Sequence, residues 1–243
     1  MRTFAGQTAV VTGASSGIGS ALALGLAAQG AAVCLVGRNL ERLEAVAERA
    51  RATPARVLIY QADLTRDAHM HALTTRLQRD VGQLDVLVHG AGVIALGPIE
   101  DTPLEKLDWQ YRTNVRAPYA LTQAVLPMLR DRQGQIVFIN SSVGLNARAN
   151  VGQYAATKAA LKAIADSLRQ EVNAVGVRVL SVFLGRTASP MQAALYALEG
   201  RVYQPDLLMQ PEDVAAAIMQ ALSLPRSVEV TDLHMRPLVK SYA

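Results

Sequence analysis

The sequence predicts an α/β, doubly wound domain of about seven parallel strands with helices on both faces. Three observations carry this prediction. Short β-branched runs alternate with longer stretches of helical period, the pattern of βαβ units. Several of those runs are apolar almost throughout, as parallel strands covered on both faces must be. A glycine-rich turn, TGASSGIG at 12–19, follows the first run and opens a helical stretch. The chain has 243 residues, 51% of them apolar, so it can bury a large core. No repeat or linker marks a second domain, and 1–243 reads as one.

The predicted strands cover 8–12, 32–36, 56–61, 84–89, 135–140, 177–183 and 228–231. The first runs into Gly13, Ser15, Ser16, Gly17, Ile18 and Gly19. Glycines here let the backbone turn tightly and approach a pyrophosphate. Its charge would rest on the amides and positive dipole of the helix that begins near Gly17. Such turns also serve as plain connections, but the position between strand and helix makes this one a candidate dinucleotide site of Rossmann type.

The end of the second strand bears on which dinucleotide binds. A cofactor without a 2′-phosphate usually meets an acidic residue there, whereas the phosphorylated form prefers an arginine. Here Gly37 and Arg38 occupy the place, so NADP(H) is favoured. NAD(H) stays possible, because Arg38 also reads as a solvent-facing residue opening the next helix. That helix, 40–50, carries Leu43, Val46, Ala47 and Ala50 on one face. Asp63, followed by Leu64 just past the third strand, either accepts from an adenine amino group or caps the next helix.

Net charge is +4 with a pI near 9.4, but the arginines are scattered and no basic cluster interleaves with aromatics. Nucleic acid is not an expected partner. The lone cysteine, Cys34, lies in an apolar run and reads as a small buried hydrophobe. The N-terminal residues lack a signal-peptide core, and no apolar stretch reaches the roughly 18 residues of a membrane span. A soluble cytoplasmic protein is expected. His69, His71, His89 and His234 show no ligand spacing, so no metal is expected.

The run NSSVGLNARANVGQYAATK, 140–158, holds Tyr154 and Lys158 one helical turn apart on one face. An ammonium about 4 Å from a phenol is worth ~4 kcal/mol at an effective dielectric near 20, enough to lower the phenol pKa by up to ~3 units. That would suit a general acid or base. Such pairs also arise by chance, so the remainder of the chain decides.

With the glycine turn, Asp63, HGAG at 89–92, Asn114 in TNVRAPYA, Ser141 in INSSVG and YAATK at 154–158, the chain resembles the short-chain dehydrogenase/reductase family over nearly its whole length. The resemblance implies an oxidoreductase moving a hydride between the nicotinamide and a small-molecule carbonyl or secondary alcohol. Tyr154 would be the general acid/base and Ser141, thirteen residues before it, would hold the substrate oxygen. Lys158 would lower the tyrosine pKa and bind the ribose, and Asn114 would support a water-linked proton relay. The cofactor would be contacted by these residues and by the glycine turn, Arg38, Asp63, Leu64, Ala91, Gly92, Gly185 and Thr187. A non-catalytic dinucleotide sensor would not need the complete set of four.

Two places depart from the family pattern. His89-Gly90 stands where Asn-Asn is usual, and His89 reads as a structural replacement. Leu184-Gly185 stands for Pro-Gly, which removes a φ restraint. Around 186–208 the family varies its substrate cover, and Met191, Leu195, Tyr196 and Tyr203 read either as lining or as the buried face of a helix. Pro211, Glu212 and Asp213 open a further helix. In the helix after Tyr154, Leu161, Ile164, Ala165, Leu168 and Val172 would face the sheet, leaving a smooth face of Ala159, Ala163, Ser167 and Gln170. The resemblance implies that this helix pairs across a homodimer or homotetramer, with the tail 234–243 also at a subunit contact.

Overall fold

The computed structural model describes residues 3–239. In chain order the main elements are β1 (Thr8–Thr12), α1 (Gly17–Ala28), β2 (Ala32–Gly37), α2 (Leu40–Arg51), β3 (Val57–Gln61), α3 (Asp67–Asp80) and β4 (Val86–His89). There follow α4 (Leu104–Tyr111), a π-turn (Arg112–Arg116), α5 (Ala117–Arg130), β5 (Gln135–Ser141) and α6 (Gly152–Val172). The chain ends with β6 (Arg178–Leu184), α7 (Pro190–Leu198), α8 (Pro211–Leu222) and β7 (Asp232–Met235).

The strands form one seven-stranded parallel sheet in the order β3-β2-β1-β4-β5-β6-β7. Successive side chains of a strand point to opposite faces, and both faces are apolar. Ala9, Val11, Val33, Leu35, Val86, Val88, Val137 and Val182 join one cluster with α1, α2 and α8. Val10, Cys34, Val36, Leu87, Ile136 and Phe138 join the other with α3, α5 and α6. This explains the nearly continuous hydrophobic runs. Between β1 and β4 the strand order reverses, so the crossovers leave to opposite faces and a crevice opens beyond the carboxyl ends of the strands.

Strands β1 to β6 fall within two residues of their predicted bounds, but the last does not. Residues 228–231 were expected as the strand, and β7 begins only at Asp232. The cause is a side chain. Glu229 takes the Val179 N–H with its carboxylate at 2.9 Å, where a strand would offer a backbone carbonyl. The first backbone bond to β6 on this side is Ser181 N–H to the Thr231 carbonyl, 2.9 Å. A second correction concerns Ile164, which is half-buried and belongs to neither sheet-packing cluster, whereas Leu161, Ala165, Leu168 and Val172 do pack there. Ala159, Ala163, Ser167 and Gln170 are exposed. His234 stacks on Phe183 with centroids 4.8 Å apart; the end of the tail, 240–243, lies outside the described residues.

Candidate active site

A cleft of about 490 Å³ follows the carboxyl edge of the sheet. At its centre is the turn between β1 and α1. Gly13 has φ +68°, and a Cβ there would meet backbone atoms of Gly90 and Ala91 at 2.7 Å. A Cβ on Gly19 would lie 2.3 Å from the Gly13 carbonyl oxygen. Both positions therefore require glycine. Ser16 is the N-cap of α1 yet makes no side-chain capping bond, so the first-turn amides are not consumed by it. Ser15, Ser16, Gly17 and Ile18 all line the cleft.

Thr12, which sequence reasoning passed over, fastens this turn to the next. Its hydroxyl accepts from Gly90 N–H (3.1 Å) and Ala91 N–H (3.2 Å) and donates to the Val88 carbonyl at 3.2 Å. Only Gly90 fits beside it, since a Cβ there would sit 2.7 Å from the Thr12 carbonyl oxygen. Thr12→Val, nearly isosteric, leaves two N–H groups without an acceptor. It is expected to destabilise the protein by roughly 2–4 kcal/mol, read as a lower denaturant midpoint at unchanged slope. His89 points away from the cleft. It is buried, stacks on Phe138 at 4.8 Å and shares a 2.8 Å hydrogen bond with Thr122 Oγ1. Burial pushes its pKa down to about 3, so it is a neutral structural group.

At one end of the cleft stand Arg38, Arg42, Asp63 and Leu64. Asn39 caps α2 by accepting Arg42 N–H at 2.8 Å, which brings the Arg42 side chain to the cleft beside Arg38. A cation in the first turn opposes the helix dipole, a signal that could have marked Arg42 in the sequence. Asp63 does not cap α3, whose N-cap is Arg66. Its Oδ1 instead accepts the N–H (3.0 Å) and hydroxyl (2.7 Å) of Thr65, closing a local turn, because the helix begins only at Asp67, four residues later. Burial raises its carboxyl, but the bonds from Thr65 and the charge of Arg38 outweigh this and hold it below the usual value.

At the other end the cleft meets Ser141, Tyr154 and Lys158. Ser141 ends β5, and α6 starts at Gly152, so Tyr154 and Lys158 both fall in its first two turns. Tyr154 is half-buried, and the Ser141 side chain acts on its phenol. Lys158 is buried and donates to the Ile139 carbonyl at 2.8 Å; its Nζ lies 5.7 Å from the Tyr154 ring centroid. The depressed phenol pKa expected from the sequence is not what the structure holds. Burial pushes Tyr154 up to about 12, against the opposing bond from Ser141, and lowers Lys158 to about 8. Desolvation dominates both groups, and each is driven toward its neutral form.

Asn114 sits in the π-turn between α4 and α5, buried, with its side-chain bonds to Val93 and Thr157 rather than to Lys158 among the described residues. Its carboxamide exchanges two 2.9 Å bonds with the backbone of Val93 and donates to Thr157 Oγ1 at 3.1 Å. Gly92 passes close by, its missing Cβ falling 3.5 Å from Asn114 Oδ1. Gly185, Thr187 and Ala91 line the cleft, as does Ser189, which the sequence reading did not select. Ser189 caps α7 by accepting Gln192 N–H at 3.1 Å, and a Cβ on Gly17 would touch its Cβ at 3.3 Å. The Ser-Pro pair at a helix start was the available signal.

The residues 186–208 divide between the two readings. Met191 and Leu195 line the cleft, whereas Tyr196 and Tyr203 pack beneath with Ala188 and Leu208. Arg186 clamps the segment through both oxygens of Glu199, 2.7 and 2.8 Å, while lying over Tyr196. Among the described residues no three His, Cys, Asp or Glu side chains gather as metal ligands, and no helix is long and apolar enough to cross a membrane.

A glycine-cradled crevice at the reversal of a parallel sheet defines a dinucleotide-binding α/β protein. The family model for short chain dehydrogenase matches residues 7–199, and this chain belongs to that family of oxidoreductases. An uncharacterized oxidoreductase of Staphylococcus epidermidis is 34% identical over 233 residues, covering 96% of this chain and 97% of that protein. Among solved structures, a short chain dehydrogenase from Burkholderia cenocepacia in complex with NADP is 32% identical with TM-score 0.85, covering 96% of this chain and 97% of that one. An alcohol dehydrogenase from the archaeon Thermococcus sibiricus, complexed with 5-hydroxy-NADP, is 25% identical with TM-score 0.89, covering 98% and 99%.

Proposed function

We propose that this protein reversibly transfers a hydride between NADP(H) and a small-molecule carbonyl or secondary alcohol, with Tyr154 as general acid and base. The observation that carries the reading is the convergence of Ser141, Tyr154 and Lys158 at one end of a cleft whose middle is the glycine turn. The glycine turn, Lys158, Gly185 and Thr187 would hold the cofactor, which when bound would supply a hydride or take one back. In reduction Tyr154, neutral at physiological pH, gives its proton to the carbonyl oxygen as the carbon gains the hydride pair; oxidation returns it. Ser141 holds the same oxygen by its hydroxyl. Lys158, with one N–H taken by Ile139, offers the others to the ribose. Asn114 shapes the floor through Val93, and a relay from it to Lys158 runs through an intervening water. The segment 186–208 covers the substrate.

The test is loss of reduced-nicotinamide absorbance across a panel of ketones and aldehydes. A protein that binds the cofactor and oxidises it with none of them is not this enzyme. Arg38 and Arg42 support the phosphorylated cofactor, since no carboxylate ends β2 and two guanidinium groups line that end of the cleft. Arg38→Ala should weaken NADPH binding ~10- to 100-fold and leave NADH nearly untouched, the worth of one charge-assisted bond. Equal Kd changes for the two cofactors would refute the role given to Arg38. The exposed small-residue face of α6 supports pairing of two copies as a homodimer or homotetramer, to be read by sedimentation equilibrium.

A further inference from the structure

The segment between β4 and α4 forms no regular element, yet its alternate residues are pinned. Val93 exchanges two bonds with the Asn114 carboxamide. Ala95 N–H donates to Gln110 Oε1 at 3.0 Å, and Gly97 N–H to the Asn150 carbonyl at 2.9 Å. The residues between them, Ile94 and Leu96, line the cleft beside Val93, while Ala95 does not. Gln110 itself is fully buried, and its Nε2 has no hydrogen-bond partner among the described residues. A side chain chosen only for packing would carry no such orphan atom.

Four more aliphatic residues join Ile94 and Leu96 along the cleft: Val143 and Val151 ahead of α6, and Met191 and Leu195 of α7. None of the six belongs to any of the three hydrophobic clusters of the described residues. Isolated apolar residues at a surface are ordinary, but six gathered on one cleft and outside the hydrophobic clusters form the lining of an apolar ligand site. Of the charged side chains on this part of the cleft, Arg186 and Glu199 pair with each other, and Arg148 stands at the rim between Val143 and Val151 in the chain.

We propose that the carbonyl substrate is apolar beside its carbonyl group, that Ile94 and Leu96 select it, and that Gln110 is the positioning residue holding their wall in register. The inference rests on the reading of the Ser141–Tyr154 end as the carbonyl site. It is tested with reduced cofactor and two ketones, acetophenone and dihydroxyacetone. The wild type is expected to favour acetophenone in kcat/KM by ~10-fold or more, and Leu96→Asn to erase most of that preference. Gln110→Leu, which removes the acceptor for Ala95 N–H, should raise KM for acetophenone ~10-fold and lower kcat by less than ~3-fold, the mark of lost uniform binding. Gln110→Glu keeps an acceptor oxygen and should restore KM; should the leucine variant not fold, Gln110→Glu alone decides the positioning role, a KM near wild type supporting it and a ~10-fold rise overturning it. Preference for dihydroxyacetone, or an unchanged ratio in Leu96→Asn, overturns the apolar wall alone. Equal losses of kcat and KM effect for both ketones in Gln110→Leu, without rescue by glutamate, overturn the positioning role. No turnover with either ketone or any other carbonyl overturns the hydride-transfer reading and this inference together.

Discussion

Tyr154→Phe is expected to lower kcat by ~10²- to 10⁴-fold, the usual worth of a positioned general acid, while cofactor binding persists. The substitution removes one oxygen and keeps the ring. Packing at the start of α6 is therefore preserved, and so is the 2.8 Å bond from Lys158 to Ile139, which does not pass through the phenol. What is lost is the hydroxyl beside Ser141, which burial holds protonated. With a pKa raised to about 12, Tyr154 keeps its proton at neutral pH, which suits reduction. Steady-state kinetics paired with a fluorescence titration of reduced cofactor separates the two effects. Turnover near the wild-type rate would remove Tyr154 from the chemistry, and loss of cofactor binding would reassign it to the cradle.

The parts of this site visible in the sequence are those set by local geometry. The glycine turn was legible because Gly13 and Gly19 occupy positions where a Cβ has no room, and such positions admit one residue type. Tyr154 and Lys158 were legible because one helical turn fixes their relation. The strands β1 to β6 were legible because a sheet covered on both faces writes its whole length in apolar residues. The misplaced last strand shows where that logic fails. Val228 and Val230 have strand character, but the Glu229 carboxylate, a side chain, occupies the edge of β6 that their backbone would use.

Thr12, Gln110 and Thr157 were invisible for a related reason. Each acts on a partner far along the chain, Thr12 on Gly90 and Ala91, Gln110 on Ala95, Thr157 on Asn114. No spacing rule links such positions. The phenol pKa was misjudged because the sequence shows the neighbouring charge and hides the desolvation. Once α6 packs against β5, burial dominates both members of the pair.

That burial makes Lys158→Met a two-sided prediction: turnover falls, and the protein becomes more stable at neutral pH. Burial lowers Lys158 from 10.5, its ordinary value, to about 8 in the folded protein, so burial of its charge costs about 3 kcal/mol wherever both forms are protonated. Methionine removes that cost with similar volume, and gives back ~1–2 kcal/mol by leaving the Ile139 carbonyl without its donor. A net gain of ~1–2 kcal/mol follows, a rise in Tm of several degrees for a chain of this size. The sign reverses with pH in a defined window. A lysine whose folded pKa is lowered binds more protons in the unfolded state between about 8 and 10.5, so wild-type stability climbs through that range and the advantage of the variant disappears. Tyr154, raised from 10.0 to about 12, weakens both proteins equally as pH passes above its unfolded value, and so cancels in the difference. Denaturant midpoints of the two proteins at neutral pH and at about pH 10 measure the crossing. A variant less stable than wild type at neutral pH, or an advantage independent of pH, would show that the Lys158 ammonium is fully compensated where it lies.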